Sequence, residues 1–200
     1  MAIDTELNTK DKRINLFERG FKSRCENLSA MVRSKLGLKQ DDPLPYKQLA
    51  GYLSVDIIEL ANLQHLGNDS KTYLASDEGN EWSAVTVASP KRVIVVANPS
   101  HSEARRSNSI MHELAHVILE HAAGRVYLTG DGFALRDYDD KQEVEADWLA
   151  GSLLLPRVAL EKLARLHTPK TAALSEYSVS SDLYDFRRRM TAINRQFKGR

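Results

Sequence analysis

The stretch His112-Glu113-Leu114-Ala115-His116 sets two histidines four residues apart, with a glutamate directly after the first. On a helix, residues with this spacing share one face, and their Cβ atoms lie about 5–6 Å apart. Two imidazoles so placed can reach one zinc ion at about 2.0–2.1 Å. Glu113 points toward the same site, where its carboxylate can take a proton from water. The stretch therefore predicts a helix with His112 and His116 as metal ligands and Glu113 as a general base.

The flanking sequence favours a helix over residues 102–122. Ser100 or Ser102 can cap its N-terminus, Glu103 suits the positive end of the helix dipole, and Gly124 is of the type that ends helices. Apolar residues recur close to helical periodicity, at Ile110, Met111, Leu114, Ala115, Val117, Ile118 and Leu119. The alternative interpretation is an ordinary exposed helix whose histidines and glutamate are solvated.

His121 lies near the end of the same predicted helix. Nine residues after His112, at about 100° per residue, it would point to the opposite side of the helix. The extended zinc-protease pattern with a third histidine also needs a glycine where Leu119 stands. His121 is therefore predicted to be a helix-terminal or surface residue, not a ligand.

A third protein ligand is needed, with a fourth position left for water. Residues 142–156 predict a second helix that Pro156 ends. Glu143 and Asp147 share one face of it, so Glu143 can bind the metal while Asp147 accepts a hydrogen bond from a ligating histidine. Glu145 is rotated by about 200° from Glu143 and stays the alternative metal ligand. The acidic run can also be read as a solvated surface.

These segments together resemble the ImmA/IrrE family of metallopeptidases. The resemblance rests on the histidine motif followed by Glu143-Val144-Glu145-Ala146-Asp147-Trp148-Leu149-Ala150 and Leu153-Leu154-Leu155-Pro156. Trp148-Leu149 and Leu155 replace the family's usual x-Phe and Met, which are apolar changes that leave the ligands untouched. The similarity is closest over residues 82–156.

The resemblance implies zinc held by His112, His116 and Glu143, with Glu113 as the general base. It implies an α+β, zincin-like fold with a small antiparallel sheet packed on the active-site helix, followed by a small helical, helix-turn-helix-like C-terminal region. The corresponding division of the chain is a flexible N-terminus at 1–13, a peptidase domain at 14–156 and a helical region with a basic tail at 157–200.

The rest of the chain predicts further elements. Residues 82–88 and 92–97 are rich in β-branched residues and predict a hairpin, whose second strand leads into the zinc helix. A second hairpin is predicted at 126–128 and 133–135. Helices are predicted at 14–36, 46–53, 160–166 and 183–193, and a strand at 55–60.

Composition narrows the class of protein. The formal net charge is +1, which predicts no particular partner from bulk electrostatics. Cys25 is the single cysteine, so the chain cannot form an internal disulfide. This is typical of proteins in a reducing compartment. The first residues lack the apolar run of a signal peptide, and no run of 18 apolar residues occurs. We expect a cytoplasmic enzyme with no membrane association.

The C-terminal tail is basic. Residues 187–200 hold six arginines and lysines and no acidic residue. Such a stretch can neutralise phosphates, dock an acidic protein or remain solvated. Direct DNA binding is the less favoured of these roles.

The leading functional hypothesis is a zinc endopeptidase, with manganese as the alternative metal at a His/carboxylate site. The resemblance implies that its substrate is a helix-turn-helix transcriptional repressor, whose cleavage derepresses genes. One alternative is a zinc-stabilised, non-catalytic module that binds a repressor or antitoxin. The other is a DNA-binding regulator that uses the basic tail.

Overall fold

The computed structural model describes residues 17–62, 83–89, 92–121, 125–128, 134–137 and 139–197. These ranges combine helices with one sheet, which confirms the α+β class. The helices are α1 Phe21–Lys35, α2 Tyr46–Tyr52, α3 Glu103–Ile118, α4 Asp140–Leu154, α5 Arg157–Arg165, α6 Lys170–Tyr177, α7 Ser181–Met190 and α8 Ile193–Gln196. The strands are β1 Val55–Glu59, β2 Ala84–Ser89, β3 Arg92–Ala97, β4 Arg125–Leu128 and β5 Ala134–Asp137. None of the helices in the described part of the chain has the length and apolarity to cross a membrane.

The sheet has the strand order β1-β3-β2-β5-β4. β2 is antiparallel to β3 and to β5, and β4 is antiparallel to β5, which confirms both predicted strand pairs. The prediction of an antiparallel sheet is wrong at β1, which runs parallel to β3 with Val55 opposite Val93. Glu59 and Ala84 both pair with Ala97, so residues 60–83 join strand ends at one edge of the sheet. β2 then runs back along the sheet, and β3 returns parallel to β1.

Helix α3 lies between the sheet and α4. It contacts β2, β3 and α4, and Ser102 caps it by accepting a hydrogen bond from the backbone N–H of Arg105. Its apolar face is fully buried at Ile110, Met111, Leu114 and Ala115. Burying each of the three larger side chains contributes about 1.5–3 kcal/mol. This packing fixes the polar face of α3, and with it the two histidines, toward α4.

Helix α4 begins with a capping box. The Asp139 side chain accepts from the backbone N–H of Gln142 at 2.9 Å, and the Gln142 side chain accepts from the backbone N–H of Asp139 at 3.3 Å. Its far end is set by Pro156, because the residue before a proline is pushed out of the helical region. Leu155 accordingly has φ −139° and ψ 80°. The end at Pro156 was predicted, whereas the helix begins at Asp140, two residues before the predicted start at 142.

Helix α1 is shorter than the predicted 14–36. It starts at Phe21, after Gly20 turns the chain with φ +88°; residues 14–16, like the predicted flexible segment 1–13, lie outside the described residues. Its fully buried Arg33 donates to the carbonyl oxygen of Leu153 at 2.6 Å and to Ser29 Oγ at 2.6 Å. This arginine ties α1 to the end of α4.

The C-terminal helices share the hydrophobic core of the preceding part. Leu160, Tyr177, Tyr184 and Ile193 belong to the same buried cluster as the apolar face of α3. α6 and α7 are separated by residues 178–180, and a helix-turn-helix-like role for them stays a prediction.

Arg187, counted above in the basic tail, is fully buried on α7. Its Nη2 donates to Glu26 Oε1 at 2.5 Å and its Nε to the Leu155 carbonyl at 3.0 Å. Arg187 is therefore part of the core and does not offer its charge to a phosphate.

Candidate metal centre

Three side chains converge where α3 meets α4. His112, His116 and Glu143 each offer a ligand atom, and these atoms all lie within 4.8 Å of one another. The two histidine Nε2 atoms are 3.0 Å apart, and the Glu143 oxygens lie 3.2 Å from His112 Nε2 and 3.3 Å from His116 Nε2. The side chain of His116 is 1% exposed and that of Glu143 is 46% exposed. The group is thus closed behind His116 and open beside Glu143.

The spacing of these atoms fits a tetrahedral metal ion. Around zinc with ligands at about 2.05 Å, neighbouring donor atoms lie about 3.3 Å apart. The two Nε2 atoms lie 3.0 Å apart, and each lies 3.2–3.3 Å from one of the two Glu143 oxygens, separations close to that value. Two imidazoles and one carboxylate are also a donor set of catalytic zinc sites, in which water takes the fourth position. The three side chains therefore fit a divalent metal ion such as zinc.

Asp147 orients His112. The Nδ1 atom of His112 lies 2.9 Å from Asp147 Oδ1, and an ionised carboxylate can only accept a hydrogen bond. Nδ1 therefore carries the hydrogen, and in the neutral ring the lone pair of Nε2 faces the group. Glu143 and Asp147 lie one turn apart on α4, so one face of that helix brings both carboxylates to His112.

The charges of the group shift two pKa values. Burial acts to lower the pKa of His112, but hydrogen bonds to Asp147 and Glu143 outweigh burial and raise this pKa to about 10. The imidazoles of His112 and His116, 3.2 and 3.3 Å from its oxygens, hold the pKa of Glu143 well below its usual range. The negative charge of Glu113 adds to the raised pKa of His112. Negative charge thus surrounds the imidazoles, and a divalent cation is stabilised by the same field.

His121 lies just past the end of α3 and outside the three converging side chains, as predicted, but it packs behind His116 with its side chain 7% exposed, so its prediction as a surface residue is wrong. His121 Nδ1 lies 2.9 Å from His116 Nδ1, and His121 Nε2 lies 3.2 Å from Glu145 Oε2. The prediction assumed a helix to residue 122, but α3 ends at Ile118 and Glu120 adopts φ +53°. The backbone N–H of His121 then donates to the His116 carbonyl at 3.1 Å. This turn brings the imidazole back against the last turn of α3.

Glu145, the alternative ligand, is placed with His121 and not with the three converging side chains. It lies on the part of α4 that faces the end of α3, and its side chain is 12% exposed. The structure thus brings Glu143, but not Glu145, to the two motif histidines.

Thr86 holds the carboxylate of Glu113. Its buried hydroxyl on β2 donates a hydrogen bond to Glu113 Oε2. The bond forms because β2 packs against α3. Sequence reasoning missed Thr86, which is 27 residues from its partner and lies in an ordinary strand pattern.

Comparison with known proteins places the chain in a family. Curated proteins give no match to this sequence. The family model of M78 peptidases, described as the IrrE N-terminal-like domain, matches residues 67–188, which is more than half of the 200-residue chain. The matched residues include α3, α4 and the whole sheet except β1, and the match confirms the resemblance to the ImmA/IrrE family. The chain therefore belongs to the M78 peptidase family with an IrrE N-terminal-like domain.

Proposed function

We propose that this chain is a zinc-dependent endopeptidase that cleaves one specific protein, a helix-turn-helix transcriptional repressor, and so derepresses genes. The observation that carries the proposal is the convergence of two histidine Nε2 atoms and the Glu143 carboxylate at 3.0–3.3 Å, with Glu113 on the same helix. Membership of a peptidase family supports hydrolysis of peptide bonds. The choice of a repressor rests on the resemblance to ImmA/IrrE proteins.

His112, His116 and Glu143 would hold the metal, and Glu113 would move the proton. A zinc ion at this position supplies Lewis acidity, which polarises a peptide carbonyl and acidifies water. Glu113 accepts a proton as water attacks the carbonyl carbon and then gives it to the leaving amide nitrogen. Thr86 donates a hydrogen bond to Oε2 of Glu113 and so orients the carboxylate that makes this transfer.

The donor atoms favour zinc over the alternative, manganese. Two imidazoles with one carboxylate are a common catalytic zinc set, whereas manganese is better suited by sites rich in oxygen donors.

The single cysteine is buried and unpaired, which agrees with the proposed cytoplasmic location.

Two further observations weigh against the alternatives. A non-catalytic module that binds a repressor or antitoxin has no use for a base, yet Thr86 holds Glu113 in one orientation. A DNA-binding regulator would use the basic tail, and one of its six cations, Arg187, is paired with Glu26 inside the core. The geometry thus favours hydrolysis over either binding role.

The test is a trapping comparison in the native host. Tagged wild type, Glu113→Gln and the control Glu120→Gln are isolated in parallel, and co-purifying proteins are identified by peptide mass mapping. The control makes the same chemical change at an exposed residue near the end of the same helix. We expect Glu113→Gln to retain an intact repressor that is truncated or missing with the other two proteins.

Two other results would revise the proposal. An intact partner held equally by all three proteins would overturn the peptidase and favour a binding regulator. An intact partner of another class, held by Glu113→Gln alone, would support the peptidase and overturn the repressor as its substrate.

A further inference from the structure

A line of three side chains extends from the candidate metal centre past the end of α3. His116 contacts His121 through their Nδ1 atoms at 2.9 Å, and His121 Nε2 contacts Glu145 Oε2 at 3.2 Å. The His121 side chain is 7% exposed, and the Glu145 side chain 12%. Neither His121 nor Glu145 belongs to the three residues whose ligand atoms converge. Their position behind a ligand calls for a different role.

The hydrogen bonds fix which nitrogen of each ring carries its proton. An ionised glutamate only accepts, so His121 must donate to Glu145 from Nε2. A neutral imidazole has a single N–H, so Nδ1 of His121 is then an acceptor. His116 must therefore donate from its own Nδ1, and its Nε2 keeps the lone pair that faces His112 and Glu143.

We propose that His121 and Glu145 are positioning residues for the metal ligand His116. Together they hold His116 as the Nδ1–H tautomer and fix its ring plane, so that Nε2 is ready to bind the ion. This inference rests on the proposed metal centre. Partners of this kind behind a ligating histidine typically change metal affinity by about 10–100-fold when removed.

The geometry of α4 explains why His116 needs an intermediate imidazole. Asp147 shares the face of Glu143 and reaches His112 directly at 2.9 Å. Glu145 lies on another face of α4, and its carboxylate meets His121 rather than His116. Glu145 also forms an ion pair with Lys141, whose Nζ lies 3.8 Å from Glu145 Oε1. His112 and His116 thus have different orienting partners, one carboxylate acting directly and one acting through His121.

The first test is the zinc dissociation constant of the full chain, measured by competition with a chromophoric chelator. His121→Phe keeps a ring of similar size but removes the acceptor, whereas His121→Asn keeps an oxygen acceptor near the position of Nδ1 but loses volume. We expect zinc binding about 10-fold or more weaker in His121→Phe and within about 3-fold of wild type in His121→Asn. A packing role predicts the reverse order. The control pair, His167→Phe and His167→Asn, changes an exposed histidine in the same way and should leave zinc binding unaltered.

Two further measurements do not depend on the folding of His121→Phe. Long-range ¹H–¹⁵N correlation spectra of the zinc-loaded wild type should show His121 as the Nε2–H tautomer. Glu145→Leu removes the terminal acceptor and should weaken zinc binding in the same direction as His121→Phe.

The outcomes separate this inference from the proposed function. Wild-type zinc affinity in His121→Phe, weaker binding in His121→Asn than in His121→Phe, or an Nδ1–H tautomer of His121 would overturn the positioning role. In those cases zinc binding by the wild type would leave the metal centre standing. Failure of the wild type to bind zinc would overturn the metal centre and the positioning role together.

Discussion

Arg187 provides the most quantitative prediction, because its guanidinium is fully buried between α7, α1 and the end of α4. We consider the substitution Arg187→Met, which keeps most of the aliphatic stem and removes the charge. It deletes the bond to Glu26 Oε1 at 2.5 Å and the bond to the Leu155 carbonyl at 3.0 Å. The substitution therefore leaves one carboxylate and one buried carbonyl without their arginine.

The loss in free energy of unfolding depends on the surroundings of the Glu26 carboxylate and the Leu155 carbonyl. Removing one partner of a buried ion pair costs about 3–5 kcal/mol. Glu26 is 27% exposed and still accepts the backbone N–H of Arg157 at 2.9 Å, so the low end, about 3 kcal/mol, applies. For a chain of this size, each kcal/mol lowers the melting temperature by about 2–4 °C, which gives a decrease of roughly 6–12 °C.

The assay is urea unfolding followed by circular dichroism, with thermal melts in parallel. Arg189→Met is the matched control, because Arg189 is exposed two residues away on the same helix, and it should stay within about 0.5 kcal/mol of wild type. Adding Glu26→Gln to Arg187→Met should recover part of the loss, since it removes the unpaired charge. A loss in Arg187→Met no larger than in Arg189→Met would refute the reasoning.

Three further predictions concern other buried groups. In Gly151→Ala the new Cβ would lie 3.0 Å from Arg187 Cδ. Overpacking costs about 1–3 kcal/mol and outweighs a gain of about 1 kcal/mol in helix propensity. Urea unfolding should therefore show net destabilisation, and a stabilised variant would contradict this contact. Burial raises the pKa of the Cys25 thiol to about 12. Because only the thiolate reacts, Ellman's reagent at pH 8 should label the denatured chain but not the native chain. Rapid labelling of the native chain would contradict this prediction. Thr86→Val should slow cleavage of the trapped partner by about 10–100-fold, because Glu113 is misplaced, and should leave the zinc content unchanged. Thr86→Ser keeps the hydroxyl and should cleave at close to the wild-type rate. A Thr86→Val variant as active as wild type would show that the hydrogen bond to Glu113 does not matter.

The sequence was sufficient wherever one helix or one helix pair determines the geometry. The spacing of His112 and His116 on α3 and of Glu143 and Asp147 on α4 follows from helical periodicity alone, and the structure brings all four together. The hairpin of β2 and β3 was readable from its β-branched residues. In these cases local pattern and tertiary packing agree.

The misses have identifiable physical causes. The direction of the His121 side chain was predicted from helical periodicity, on the assumption that the helix continues past it. Glu120 instead adopts a left-handed conformation just after the helix, without the glycine that usually marks such an end. Arg187 stands in a run of three arginines, and only its partner Glu26, 161 residues away, makes it a core residue. The parallel pairing of β1 with β3 likewise depends on which strand of the β2–β3 hairpin packs against β1, which no short pattern encodes.

The central claim is that one metal ion is bound by His112, His116 and Glu143. Its most direct test is a crystal structure of the zinc-loaded protein, with anomalous data collected on both sides of the zinc absorption edge. The account predicts one zinc peak about 2.0–2.2 Å from the two Nε2 atoms and a Glu143 oxygen. A peak bound by Glu145 or His121 in place of these atoms, or no peak between α3 and α4, would contradict it.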